Sequence, residues 1–88
     1  PSKFSLHTPF PNPFNPSTSI KFSISNESNV EINVFDINGN WVESLANSTF
    51  TPGIHTIKWD ARNYSSGIYI LKMISGEFFQ SQKLVLTK

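Results

Sequence analysis

Cysteine is absent from the 88-residue sequence, which excludes disulfide frameworks, cysteine-ligated zinc, thiol nucleophiles and iron–sulfur ligation together. Charge is sparse: Asp, Glu, Lys and Arg make up 15% of the chain, and seven basic against six acidic residues leave a net charge of +1. With the lysines scattered, there is no electrostatic footprint for nucleic acid or for an anionic membrane. No apolar run approaches the roughly 20 residues that cross a bilayer, so membrane insertion is not expected. The first residues lack the charged-then-apolar pattern of a signal peptide, and the chain is expected to be a fragment or C-terminal module of a longer protein.

Aromatic residues are plentiful, with eight Phe, two Trp and two Tyr. A chain of this length buries only roughly 60–65% of the surface it exposes when unfolded, so these rings are expected to carry much of the core. Ser, Thr and Asn take the place of charged residues as polar filler, a surface that suits an exported β domain.

Residues 9–16 read Pro-Phe-Pro-Asn-Pro-Phe-Asn-Pro. Each proline fixes its own φ and pushes its predecessor towards extended geometry, so the segment predicts a stiff extended run whose Phe10 and Phe14 pack on the domain. From Ser17 the dominant period is two. Ile20, Phe22 and Ile24 alternate with Ser19, Lys21 and Ser23, and Val30, Ile32 and Val34 alternate with Glu31 and Asn33, giving two half-buried strands. Asp36-Ile37-Asn38-Gly39-Asn40 predicts a hairpin in which the Asn-Gly pair takes positive φ. Trp41 to Asn47 fits a helical stripe as well as a strand, and the adjacent turn favours strand.

A fourth strand is expected at His55, Ile57 and Trp59, followed by a loop from Asp60 to Gly67. Ile68 to Ile74 is apolar on both faces, which predicts a central strand covered on both sides. A closing strand spans Phe78 to Thr87. Strand starts recur roughly every dozen residues with Gly, Pro or Asn between them, the spacing of an all-β, Ig-like antiparallel sandwich of six to seven strands.

No catalytic constellation emerges. His55 sits at an alternating strand position, so a structural role is expected for it, and His7, in the entry segment, is a weaker candidate still. Asp36 and Asp60 lie in turns and the glutamates are isolated, which leaves no carboxylate pair for glycoside hydrolysis. Asp36 to Asn40 lacks the ligand spacing and distal Glu of a calcium loop, so no metal site and no cofactor are expected. Asp60 is expected to accept backbone hydrogen bonds within its own loop. Trp41, Trp59, Tyr64 and Tyr69 could form a sugar-stacking platform, which sets up one alternative reading. Asn26, Asn47 and Asn63 begin Asn-X-Ser/Thr triplets at a frequency expected by chance.

Four ordered blocks carry a family resemblance. Pro11-Asn12-Pro13-Phe14-Asn15-Pro16-Ser17-Thr18 with Ile20-Lys21-Phe22-Ser23 and Val34-Phe35-Asp36-Ile37-Asn38-Gly39 resembles the opening of the C-terminal sorting domains of the type IX secretion system. Gly53-Ile54-His55-Thr56-Ile57-Lys58-Trp59-Asp60 is similar to that family's second block, Ser66-Gly67-Ile68-Tyr69 to its third, and Gln82-Lys83-Leu84-Val85-Leu86 to its last. The chain departs from the family's usual pattern at Trp41 and Asn38.

The resemblance implies an Ig-like sorting domain over residues 9–88, preceded by a linker from an upstream passenger at residues 1–8. It implies a non-catalytic address recognised by the outer-membrane type IX translocon and commonly removed by a sortase-like surface protease, with the passenger secreted or left at the cell surface after passing through the periplasm. Recognition falls on Lys83, Leu84, Val85, Leu86 and Lys88. Structural roles fall on Gly39, Gly53 and Gly67 in turns, on Asn12 and Asn15 as hydrogen-bonding residues of the Pro-rich run, on His55 and Asp60, and on Trp59 and Tyr69 in the core. The alternatives are an accessory Ig-like module serving as spacer or carbohydrate binder of an extracellular enzyme, and a flagellar hook-cap Ig-like domain.

Overall fold

The structure, a computed structural model, describes residues 3–88. Seven strands form: β1 (Ser5–Leu6), β2 (Ser17–Ile24), β3 (Ser28–Asp36), β4 (Trp41–Phe50), β5 (Gly53–Asp60), β6 (Gly67–Ser75) and β7 (Phe78–Leu86). They make two antiparallel sheets, one in the order β1-β2-β5 and one in the order β4-β3-β6-β7. The alternation read from sequence sets which side chains turn inward: Ile20, Phe22 and Ile24 from one sheet meet Val30, Ile32, Val34, Leu71 and Met73 from the other, all fully buried. Burying each such side chain contributes roughly 1.5–3 kcal/mol, which is how two thin sheets hold together.

Strand order places the third and sixth strands at the centre of the four-stranded sheet, with the fourth beside the third. That is the arrangement of an Ig-like sandwich in which the fourth strand has joined the larger sheet. Tyr69, near the start of β6, donates its hydroxyl to the Ser65 carbonyl four residues upstream at 2.6 Å, the tie that fixes this corner in Ig-like folds.

Several sequence expectations need correction. The segment 1–8 is not linker throughout, because Ser5 and Leu6 pair with Ser23 and Phe22 and Leu6 is buried in the core. Phe10 does not pack: it is 77% exposed, whereas Phe14 is buried against Trp59. The β6 strand is central but covered on one side only, with Tyr69, Leu71 and Met73 inward and Ile68 and Ile74 exposed. An 88-residue chain builds two layers and has no third with which to cover the outer face. In the β3–β4 turn only Gly39 takes positive φ (87°); Asn38 does not, so the connection is a three-residue loop closed by Gly39.

Candidate recognition site at the last strand

β7 lies at the edge of its sheet, so half of its backbone N–H and C=O groups point away from β6. The Pro-rich segment covers the end of that edge. Phe14 runs parallel to β7, donating its N–H to the Val85 carbonyl and accepting from the Thr87 N–H, each at 2.9 Å. Pro11 and Pro13 have no N–H to offer, and the Asn12 side chain substitutes for them. Its Nδ2 donates to the Lys83 carbonyl at 2.8 Å while its Oδ1 accepts from the Val85 N–H at 2.9 Å. The amide of Asn12 thus stands where a neighbouring strand's peptide group would. The Phe14 ring secures the segment from below, 5.6 Å from Trp59. The peptide bonds preceding Pro11, Pro13 and Pro16 are cis.

The five residues expected to carry recognition divide into two sets. Leu84 and Leu86 are buried among the core residues, so in the folded domain their side chains face Trp59 and its neighbours rather than a receptor. Lys83 is exposed and Val85 half-buried on the opposite face of the same strand. Lys88 is exposed and its Nζ donates to the Arg62 carbonyl at 2.7 Å.

Other residues singled out from sequence hold the frame. The Pro11 carbonyl accepts from the buried Thr18 hydroxyl at 2.7 Å, and the Pro16 carbonyl from the Ala61 N–H at 2.9 Å. Pro13 is exposed, and so is Asn15, whose side chain makes no hydrogen bond among the described residues, so only one of the two asparagines bonds, and it bonds to β7. Gly53 and Gly67 open strands β5 and β6 with φ of 142° and 152°. His55 stacks on Phe22 at 5.4 Å and places its Nε2 2.7 Å from the Thr51 carbonyl, a structural position.

Polar chemistry is likewise committed to the fold. Trp59 Nε1 and the Tyr64 hydroxyl both donate to Oε1 of Glu43 at 3.0 Å, and burial, aided by that carboxylate, raises the Tyr64 pKa above the usual phenol value. Burial raises Tyr69 as well. The Arg62 guanidinium holds the Asp60 carboxyl below its ordinary value, and the Asn40 and Asn38 N–H groups do the same for Asp36 in its turn. Asp60 also accepts from the Arg62 backbone N–H at 3.1 Å, as expected for a loop-closing residue.

His7 lies 3.5 Å from the Ser23 hydroxyl beside a cleft of about 520 Å³, but the cleft lining of Thr8, Phe10, Ser19, Lys21 and Thr56 supplies no carboxylate for a triad. Among the described residues no three His, Asp or Glu side chains converge as metal ligands. The four aromatic candidates for a sugar platform do not share a face: Trp59 and Tyr69 are buried with Tyr64 packed against them, and Trp41 stands apart, 62% exposed.

Three features escaped the sequence reading. Glu43 sits under the aromatic cluster as the shared acceptor. Gln80 pairs with the Leu6 backbone through both ends of its amide, at 3.1 and 3.0 Å, and Gln82 joins it at 3.1 Å, sewing β1 to β7. Two glutamines at inward-facing β7 positions were the available signal, since a buried amide needs a backbone partner. The third is the apolar outer face of the larger sheet.

The family model of the secretion system C-terminal sorting domain matches residues 8–87. A crystal structure of dimeric latent PorU from Porphyromonas gingivalis is similar in fold, with a TM-score of 0.64 at 20% sequence identity, over 96% of this chain and 9% of that one. The chain therefore spans under a tenth of that protein's length. No curated protein matches the sequence. With the family model matched over almost the whole length, by blocks that the fold places on one sandwich, the chain belongs to the secretion system C-terminal sorting domain family.

Proposed function

We propose that this domain is the address by which the type IX secretion system carries a passenger, joined to it in the same chain, across the outer membrane to the cell surface or the medium. The domain itself does no chemistry. The observation that carries the reading is the family match over residues 8–87, on a chain whose polar groups are spent on caps, clasps and a corner tie. The partners in this reading are the outer-membrane translocon and a sortase-like surface protease, met after passage through the periplasm.

The residues available for reading in the folded state are Lys83, Val85 and Lys88, while Leu84 and Leu86 serve recognition by holding β7 in place. Removing Leu84 to Lys88 would therefore confound loss of the signal with loss of the fold. Substituting Lys83→Ala with Lys88→Ala tests the signal alone. A fluorescent passenger with a periplasmic signal, fused ahead of residues 1–88 in a type IX-competent host, should appear outside the cell, and the double substitution should retain more of it in the periplasm. An intact, folded fusion that stays periplasmic without any substitution would contradict the assignment.

A further inference from the structure

The two outer faces of the sandwich differ. On the smaller sheet the outward positions Ser17, Ser19 and Lys21 of β2 and Thr56 and Lys58 of β5 are polar, with Ile54 the one exposed apolar residue among them. On the larger sheet the outward positions include Phe35, Ile68, Ile70, Val85 and Trp41, and the register joins them into one band. Phe35 pairs with both Trp41 and Ile70, Ile70 pairs with Lys83, and Ile68 pairs with Val85. Trp41 and Ile68 are exposed and Phe35, Ile70 and Val85 half-buried between them, a contiguous apolar band of the kind that marks a site of association.

The band is also held in place. Most of it stands on β3 and β6, the two central strands, rather than on loops. Trp41 at its margin is tied by an indole N–H bond of 3.3 Å to Asn33 Oδ1, and the Lys72 ammonium sits 4.6 Å over the Phe35 ring. Ordering these side chains in advance lowers the entropy lost when a partner docks. A fixed, exposed tryptophan is the kind of residue that anchors protein interfaces.

Charge narrows the partner. Lys72 and Lys83 border the band, and no carboxylate faces outward in the rows that contain Phe35, Ile68 and Lys72. Asp36, at the end of β3, has its carboxylate engaged by the Asn38 and Asn40 N–H groups. Glu31, one row further on and beside the exposed Ile74 and Phe79, is the one outward acid on β3, against the two lysines.

We infer that the outer face of the β4-β3-β6-β7 sheet, centred on Phe35 and Ile70 with Trp41 at its margin and Lys72 and Lys83 beside it, is a docking surface for a protein surface of apolar side chains rimmed by carboxylates. This rests on the sorting-signal reading and deepens it: Lys83 and Val85 are the edge of that surface, and the partner reads four strands rather than a terminal peptide. An anionic lipid surface is disfavoured, because a chain with a net charge of +1 presents too little positive charge to hold one.

The test uses the same passenger fusion in a type IX-competent host with three variants, each checked for an unchanged thermal melt. Lys72→Glu with Lys83→Glu turns both bordering cations into repelling anions, Trp41→Ser removes the most exposed aromatic of the band without touching charge, and Lys21→Glu with Lys58→Glu makes the same charge change on the other sheet. The first two should lower the external passenger by about tenfold or more, because like charges across an interface cost several kcal/mol. The third should leave it within about twofold, as surface charges away from an interface do.

If the unsubstituted fusion is exported and the first two variants are exported equally well, the docking face is wrong while the sorting reading stands. If the unsubstituted fusion is not exported, both fall. Sedimentation of the isolated chain should show a monomer. A dimer broken by Trp41→Ser would assign the face to a second copy, and flotation with phosphatidylglycerol vesicles would assign it to lipid; either overturns the inference.

Discussion

Asn12 supplies a peptide-like amide at a point where flanking prolines can supply none, and its two bonds to β7 make it the most exposed point of dependence in the molecule. Asn12→Ala leaves the Lys83 carbonyl and the Val85 N–H without their partner and should cost about 1–3 kcal/mol in a urea melt. Amide exchange should accelerate at Val85 and Thr87 more than at Leu71. Asn12→Asp keeps an acceptor for Val85 but presents a carboxylate to a carbonyl, so it should not rescue the loss. Phe14→Ala removes a buried ring and should cost about 3–5 kcal/mol, a large part of what a domain of this size possesses.

Titration acts at the same scale. Tyr64 and Tyr69 have folded pKa values above the ordinary phenol value, chiefly through burial. Their contribution is complete below the unfolded value of about 10 and is lost as pH rises through the folded values, because the unfolded chain ionises first. The urea midpoint should therefore fall above about pH 10 in step with tyrosinate absorbance. Asp36 and Asp60 act in the opposite sense: their stabilisation is present above the unfolded value of about 3.9 and fades as pH falls through their lowered folded values. Both carboxyls lie at the surface and are open to solvent screening, so the acid effect should be the smaller. Trp59 and Tyr69 were legible as anchors from their place in the blocks, and Phe14 from the expectation that the phenylalanines of the Pro-rich run pack on the domain. Phe10 was not, because an aromatic between prolines carries no periodicity to say which way it faces.

At the scale of elements, alternation located β2, β3, β5 and β7, since an inward apolar residue every second position is the condition for burying one face, while the adjacent Asn-Gly turn placed β4 and a continuous apolar run placed β6. The two-residue β1 was invisible because two residues cannot show a period, and its stability comes from Gln80 and Gln82, more than seventy residues away in sequence. The outer face of β6 misled for a physical reason: a strand apolar on both faces reads the same whether its second face meets a protein layer or a partner. The link between β4 and β5 is the shared acceptor Glu43. Glu43→Leu should leave the Trp59 and Tyr64 donors unpaired and cost about 1–3 kcal/mol, whereas Glu43→Gln keeps an acceptor oxygen and should cost less. Thermal melts of the two variants side by side read the difference.

For the whole molecule, a sorting-domain family member without cysteine is assembled from two sheets, a Pro-rich clasp along the final strand and a larger sheet with apolar residues on its outer face. The closing strand was legible in the sequence, but the division of its residues between the two faces was not. Only the packing shows that Leu84 and Leu86 support from beneath what Lys83 and Val85 present above. The measurement that tests this account most directly is the fraction of passenger fluorescence outside the cell for a fusion to residues 1–88, compared between otherwise identical hosts with and without the type IX translocon. The account predicts external fluorescence that disappears when the translocon is missing. The same distribution in both hosts, with the fusion intact and folded, would contradict it.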